Sequence, residues 1–218
     1  VNHRIAGKKD GRWVTGVDER RYDLIDGNAL KKIYDELRTR LNNIVPLVVI
    51  CGPGKCEPDK ECTTCEPDKK MECMYHQRNA LKITLNDNDC LATTFEEDLE
   101  LEYASLQEQI ILRDPEVDIV FIFPDSRGSA AELLQFTRDP VIRPKVRVLV
   151  PYQYHPLYTE SESYLTSVYQ ELMATHGHVY PYDSKNEAHR TPEYIALMMM
   201  GAYRLYRLAH PHEMRLNE

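Results

Sequence analysis

Apolar and polar positions along this chain follow two periods, and the changes of period mark its elements. From Asn28 to Leu41 the apolar residues Leu30, Ile33, Tyr34, Leu37 and Leu41 recur at helical spacing, which predicts a helix with one apolar face. Pro46 to Ile50 is a short unbroken apolar run and predicts a first strand. Asn79 to Leu85 fits a short helix or a strand, and the pattern leaves both open. Cys90 to Phe95 reads as a second strand, Leu99 to Leu112 as a helix stopped by Asp114-Pro115, and Val117 to Phe123 as a strand ended by Pro124. The last of these has no charge after Asp118, as a strand covered on both faces requires. The alternation continues with a strand at Lys145 to Val150, a helix at Tyr164 to His176, a short strand at His178 to Tyr182 and a long helix at Thr191 to Leu208. In that helix Met198, Met199, Met200 and Leu205 are expected to fill core.

Strands alternating with helices predict an α/β fold: an open, mostly parallel five-stranded sheet flanked by helices, flavodoxin-like or Rossmann-like in type. The first 27 residues, polar and rich in Gly, Arg and Asp, read as a loosely held arm, and residues 28–218 as the α/β domain. A small cysteine-rich insertion at residues 55–76 follows the first strand.

The turn after Val117 to Phe123 is the most informative stretch. Ligands in open α/β sheets sit beyond the carboxyl ends of the strands, and here the sequence supplies Asp125, Ser126, Arg127, Gly128, Ser129 and Glu132 in PDSRGSAAE. Ser129 and Glu132 have the spacing of a capping box, so Glu132 reads either as a cap or as a catalytic carboxylate. The density of hydrogen-bonding groups favours a site. The first strand ends in Cys51-Gly52-Pro53-Gly54, where glycine permits backbone to approach a ligand closely. Asp98, with Glu97 as its rival, lies at the end of the second strand and is a candidate second carboxylate, though EEDLELE is also an ordinary solvated helix start. Tyr152, Tyr154 and His155 follow another strand end, where they line a pocket or simply pack a surface seam.

Cys56, Cys62, Cys65 and Cys73 fall within eighteen residues, one pair spaced C-x-x-C, and CEPDK occurs twice. Four thiolates suit a closed, structural zinc site that staples a loop without a core. Cys51, His76 and Cys90 are spare candidates, and disulfides or a redox pair are the alternatives. Lys and Arg number 27 against 35 Asp and Glu, a net charge of −8, which argues against a duplex nucleic-acid partner. No apolar run is long enough for a membrane span and the start has no signal-peptide pattern, so a cytoplasmic enzyme is expected.

An apolar strand with a CG turn, an acidic ED step and DIVFIFPDSRGSAAELLQF together resemble the nucleoside 2-deoxyribosyltransferase-like superfamily, over roughly Leu47 to Val150. The similarity is greatest to the branch of bacterial antiphage and toxin systems, related in fold to TIR domains. The resemblance implies that Glu132 is the nucleophile or acid-base centre at an anomeric carbon, that Asp125 helps position substrate, and that Gly128-Ser129 is the Gly-Ser step. It implies cleavage of the N-glycosidic bond of NAD or a related small nucleotide, NAD being substrate rather than cofactor, by an effector that depends on a regulatory protein partner or on homo-oligomeric assembly. The late Asn and Tyr elements of true deoxyribosyltransferases have no match, which favours hydrolysis over base exchange. Nucleoside transfer and hydrolysis, and a catalytically silent nucleotide-sensing module, are the alternatives.

Overall fold

The computed structural model describes residues 7–9, 12–14, 27–54, 73–95, 104–160, 163–183 and 191–210. The chain divides into two compact units, residues 1–43 and 44–218. In the first, β1 (Gly7–Lys9) pairs antiparallel with β2 (Arg12–Val14), and α1 (Gly27–Asn42) forms where the apolar periodicity predicts it.

The second unit is a doubly wound α/β fold. Its elements run β3 (Leu47–Cys51), α2 (Met74–Asn86), β4 (Leu91–Thr93), α3 (Ala104–Arg113), β5 (Val117–Ile122), α4 (Arg127–Arg138), β6 (Val146–Pro151), α5 (Tyr164–Thr175), β7 (Val179–Tyr182) and α6 (Pro192–Ala209). The five strands are parallel, in the order β4-β3-β5-β6-β7. This is the open, flavodoxin-like sheet expected from the alternation.

The strands read as continuous apolar runs because both of their faces are covered, and side chains alternate between the two sides. Val49, Val120, Ile122, Val148 and Val150 pack with Leu112, Leu133, Phe136 and Leu172 of α3, α4 and α5. Val48, Ile50, Ile119, Phe121 and Leu149 pack on the opposite face with Leu81 and Leu85 of α2 and Ala196 and Met200 of α6. The undecided stretch 79–85 belongs to α2, which buries Met74, Gln77, Arg78, Leu81 and Leu85 at helical spacing. That helix begins within the segment read as the cysteine-rich insertion.

Met198 and Leu205 do not fill core. Three successive methionines span most of the circumference of a helix, so only Met200 reaches the interior fully, while Met198 and Leu205 are exposed. At the amino edge of the sheet Asp118 holds β3 and α6 together: one carboxylate oxygen accepts from Leu47 N at 2.8 Å, and the other accepts from Arg207 Nη1 at 2.8 Å and from the Tyr203 hydroxyl. The β3–β5 register shift lies at Leu47/Val48, beside that bond. No helix among the described residues is long and apolar enough to cross a membrane.

Candidate functional site

Strand order reverses between β3 and β5, because the chain passes from β3 outward to β4 and then returns to β5 on the other side. At such a switch point the turns after the two strands diverge and leave a crevice at the carboxyl edge. Here the two turns are also tied together, Phe123 N donating to Cys51 O at 3.0 Å. Gly52 is needed for this approach: a Cβ there would stand 3.2 Å from Phe123 Cβ and 3.3 Å from Arg78 Cδ. Arg78 is only 1% exposed, donates from Nη1 to Gly52 O at 3.3 Å and lies 5.7 Å from the centroid of the Tyr75 ring. The sequence reading missed Arg78. Its signal was position alone, on the stripe that also carries Met74, Leu81 and Leu85.

The start of α4 differs from the expected one by a full turn. Ser126 is the N-cap: its Oγ accepts from Ser129 N at 3.1 Å, and Ser129 Oγ accepts from Ser126 N at 3.0 Å. The box is therefore Ser126 with Ser129, and the expected pairing of Ser129 with Glu132 is corrected. Ser126 has the extended backbone of a cap (φ −101, ψ 163), following Pro124 and Asp125. Gly128 and Ser129 are residues of the helix itself, and Arg127, its first residue, is exposed.

Glu132 sits in the second turn of α4, half-buried next to Leu133. Six residues past the cap correspond to about 9 Å along the axis. Helical side chains lean toward the N-terminus, so the glutamate points back along part of that distance, toward the carboxyl edge.

A cavity of about 190 Å³ opens beside this turn. Pro124 and Asp125 form one wall, Val150 and Pro151 of β6 another, and Met74, Tyr154 and the first turns of α5, from Ser163 to Tyr169, close it. Glu132 and Tyr152 are not among its walls. Tyr152 instead stacks on Tyr158 with ring centroids 4.2 Å apart, and Tyr154 and Tyr169 are the aromatic residues of the pocket. His155 is buried, with Nε2 3.3 Å from Val179 O and Nδ1 accepting from Leu157 N at 3.3 Å, and burial lowers its pKa. It serves the fold.

Asp125 is open to solvent on one side, and the protein on its other side raises its carboxyl above the ordinary range by desolvation. Burial chiefly, and then the charge of Asp125, raises the hydroxyl pKa of Tyr169. Tyr182 feels the same two effects in the same order, and its hydroxyl donates to Met74 Sδ at 3.0 Å. At the α5 end, Ser163 and Thr166 are occupied with each other: Ser163 Oγ accepts from Thr166 N at 3.1 Å and lies 2.8 Å from Thr166 Oγ1.

Cys51 ends β3, and Gly52, Asp125, Ser126, Arg127, Gly128, Ser129 and Glu132 belong to the two neighbouring turns and the helix that follows one of them. Asp98 and Glu97 lie outside the described residues.

The structural zinc reading is overturned. Among the described residues no group of three or more His, Cys, Asp or Glu side chains could hold a metal ion. Cys56, Cys62 and Cys65 lie outside the described residues, and Cys73 is buried as the N-cap of α2. Of the spare candidates, Cys51 is buried in β3 and His76 belongs to α2, while Cys90 is a buried thiol whose pKa is raised chiefly by desolvation. Cysteines taken into separate core positions do not converge on one ion.

No protein-family model and no curated protein matches the sequence.

Proposed function

We propose that the chain is an N-glycosidase: it holds the sugar of a nucleoside or nucleotide, NAD among them, at the carboxyl edge beside β5 and breaks the bond from the anomeric carbon to the base. One observation carries this reading. The turn and helix beside the strand-order reversal supply two carboxylates, Asp125 and Glu132, and the capping box of that helix is formed by Ser126 with Ser129.

Breaking an N-glycosidic bond gives the sugar oxocarbenium character, which a nearby carboxylate stabilises or traps as a glycosyl intermediate. Glu132 takes that role. Nicotinamide leaves NAD as a neutral base and needs no proton, whereas the base of an ordinary nucleoside must be protonated as it departs. Asp125, in the lining of the cavity, is placed to hold the departing base. The exposed Arg127 and the first N–H groups of α4 suit hydroxyl or phosphate oxygens.

A catalytically silent nucleotide-binding module is the second reading, favoured by the absence of Glu132 from the cavity walls. Incubating the purified chain with NAD, and separately with purine and pyrimidine nucleosides, and following free base by chromatography separates the two. Base release supports the glycosidase; saturable binding without release supports the silent module. Adding a second base distinguishes exchange from hydrolysis, and release that rises steeply with chain concentration marks an enzyme that works as an assembly.

A further inference from the structure

The cavity next to Asp125 is small and has a definite chemical character. At about 190 Å³ it falls below the roughly 300–1,000 Å³ of pockets that enclose a drug-sized ligand, so it suits one ring system rather than a whole dinucleotide. Pro124, Val150, Pro151 and Leu165 give it apolar walls, and Tyr154 adds an exposed ring at the mouth. No lysine, arginine or histidine is among these lining residues, which disfavours a phosphate or carboxylate as occupant. Asp125 is the one carboxylate of the lining. Among the described residues its side chain makes no hydrogen bond and no ion pair, and the hydroxyls of Ser163 and Thr166 are engaged with each other.

A carboxylate at the mouth of an apolar cavity gains most from a ligand that brings two N–H donors to its two oxygens in parallel, since hydrogen bonds to an ionised acceptor are the strong ones. Among the nucleobases guanine has such an edge, formed by its ring N1–H and its exocyclic amine. Hypoxanthine has the same shape without the amine, and it faces the second carboxylate oxygen with no donor. Adenine offers one amine hydrogen beside a ring nitrogen lone pair, which the carboxylate repels.

We infer that this cavity is a base-binding subsite selective for guanine, with Asp125 accepting both N–H groups of its edge and Pro124, Pro151 and Tyr154 covering its faces. The inference deepens the glycosidase reading by naming the base, but its test needs no turnover.

Titrating the full chain with 9-ethylguanine and 9-ethylhypoxanthine by calorimetry tests it, because neither ligand has a glycosidic bond to cleave. The expected result is binding of 9-ethylguanine about tenfold or more tighter than 9-ethylhypoxanthine, the size of one hydrogen bond to a charged acceptor. Asp125→Asn is nearly isosteric and presents one acceptor and one donor, which pair equally with the N1–H and O6 that both ligands share. In that variant the preference should collapse to within about twofold. Equal binding by the wild type, no binding of either ligand, or a preference that survives Asp125→Asn overturns the inference. Base release from nucleosides without ethylated-base binding leaves the glycosidase standing and removes the guanine subsite. The predicted preference without any base release does the reverse.

Discussion

Ser126 and Ser129 hold each other in a reciprocal box, each hydroxyl accepting the other's backbone N–H, at 3.1 and 3.0 Å. The pair completes the cap of α4 before Glu132 is reached. Ser126→Ala should cost about 1 kcal/mol, as the loss of an N-cap does, whereas Glu132→Gln should leave the melting temperature nearly unchanged. Thermal melts of both variants check the assignment; a larger loss from Glu132→Gln would return that residue to a structural role.

The wall built by Gly52 leaves little room for change. With Phe123 and Arg78 within 3.2 and 3.3 Å of the missing Cβ, Gly52→Ala should force the two turns apart at a cost of about 1–3 kcal/mol, the usual range for overpacking. Ligand binding at the carboxyl edge should fall with it. An alanine variant with wild-type stability in denaturant titration would show that the turns yield easily.

At the other end of the sheet, Asp118 has a side chain only 7% exposed and bonds to Leu47, Tyr203 and Arg207. Asp118→Ala removes an acceptor from three donors at once and should destabilise the chain by about 3 kcal/mol, near the lower end for breaking a buried ion pair because Arg207 retains some solvent. Since this edge is remote from the candidate site, kinetic or binding constants below the melting transition should stay close to wild type.

His178 provides a pH test of the fold. Burial, then Arg147 and His176, push its pKa down to about 4. A histidine whose folded pKa lies below its unfolded value favours folding while neutral, so this contribution is present above about 6.5 and is lost as pH falls from there toward 4. His178→Gln should flatten the decline of stability over that window, and the wild-type imidazole should titrate near the lower value by NMR. An imidazole titrating at 6.5 would contradict the packing around it.

Much of the fold was legible because burial on both faces leaves unbroken apolar stretches in the strands, and Leu47 to Cys51 and Ile119 to Phe123 are such runs. The site was legible in part. The sequence pointed to the turn after β5, but two serines three residues apart, Ser126 and Ser129, offered competing cap positions, and the S-x-x-E match at Ser129 was the wrong one. Arg78 was missed because an arginine in a helix reads as solvent-facing, and only the packing of α2 onto β3 shows otherwise. The exposed Met198 and Leu205 show the same limit: apolar composition does not tell which stripe of a long helix meets the sheet. The zinc expectation failed on convergence. Spacing along the chain put Cys73 with its neighbours, whereas the fold commits it to a buried helix start.

The central claim is that the carboxylate of Glu132 performs chemistry on a glycosidic bond. Its most direct test compares the wild type with Glu132→Gln in single-turnover incubations with NAD and with nucleosides, following free base by chromatography while ligand binding and melting temperature are measured on the same samples. The account predicts base release by the wild type, loss of at least about a hundredfold in the variant, the scale expected when a group that stabilises transition-state charge is removed, and little change in affinity or stability. Base release by Glu132→Gln at near wild-type rate would contradict it.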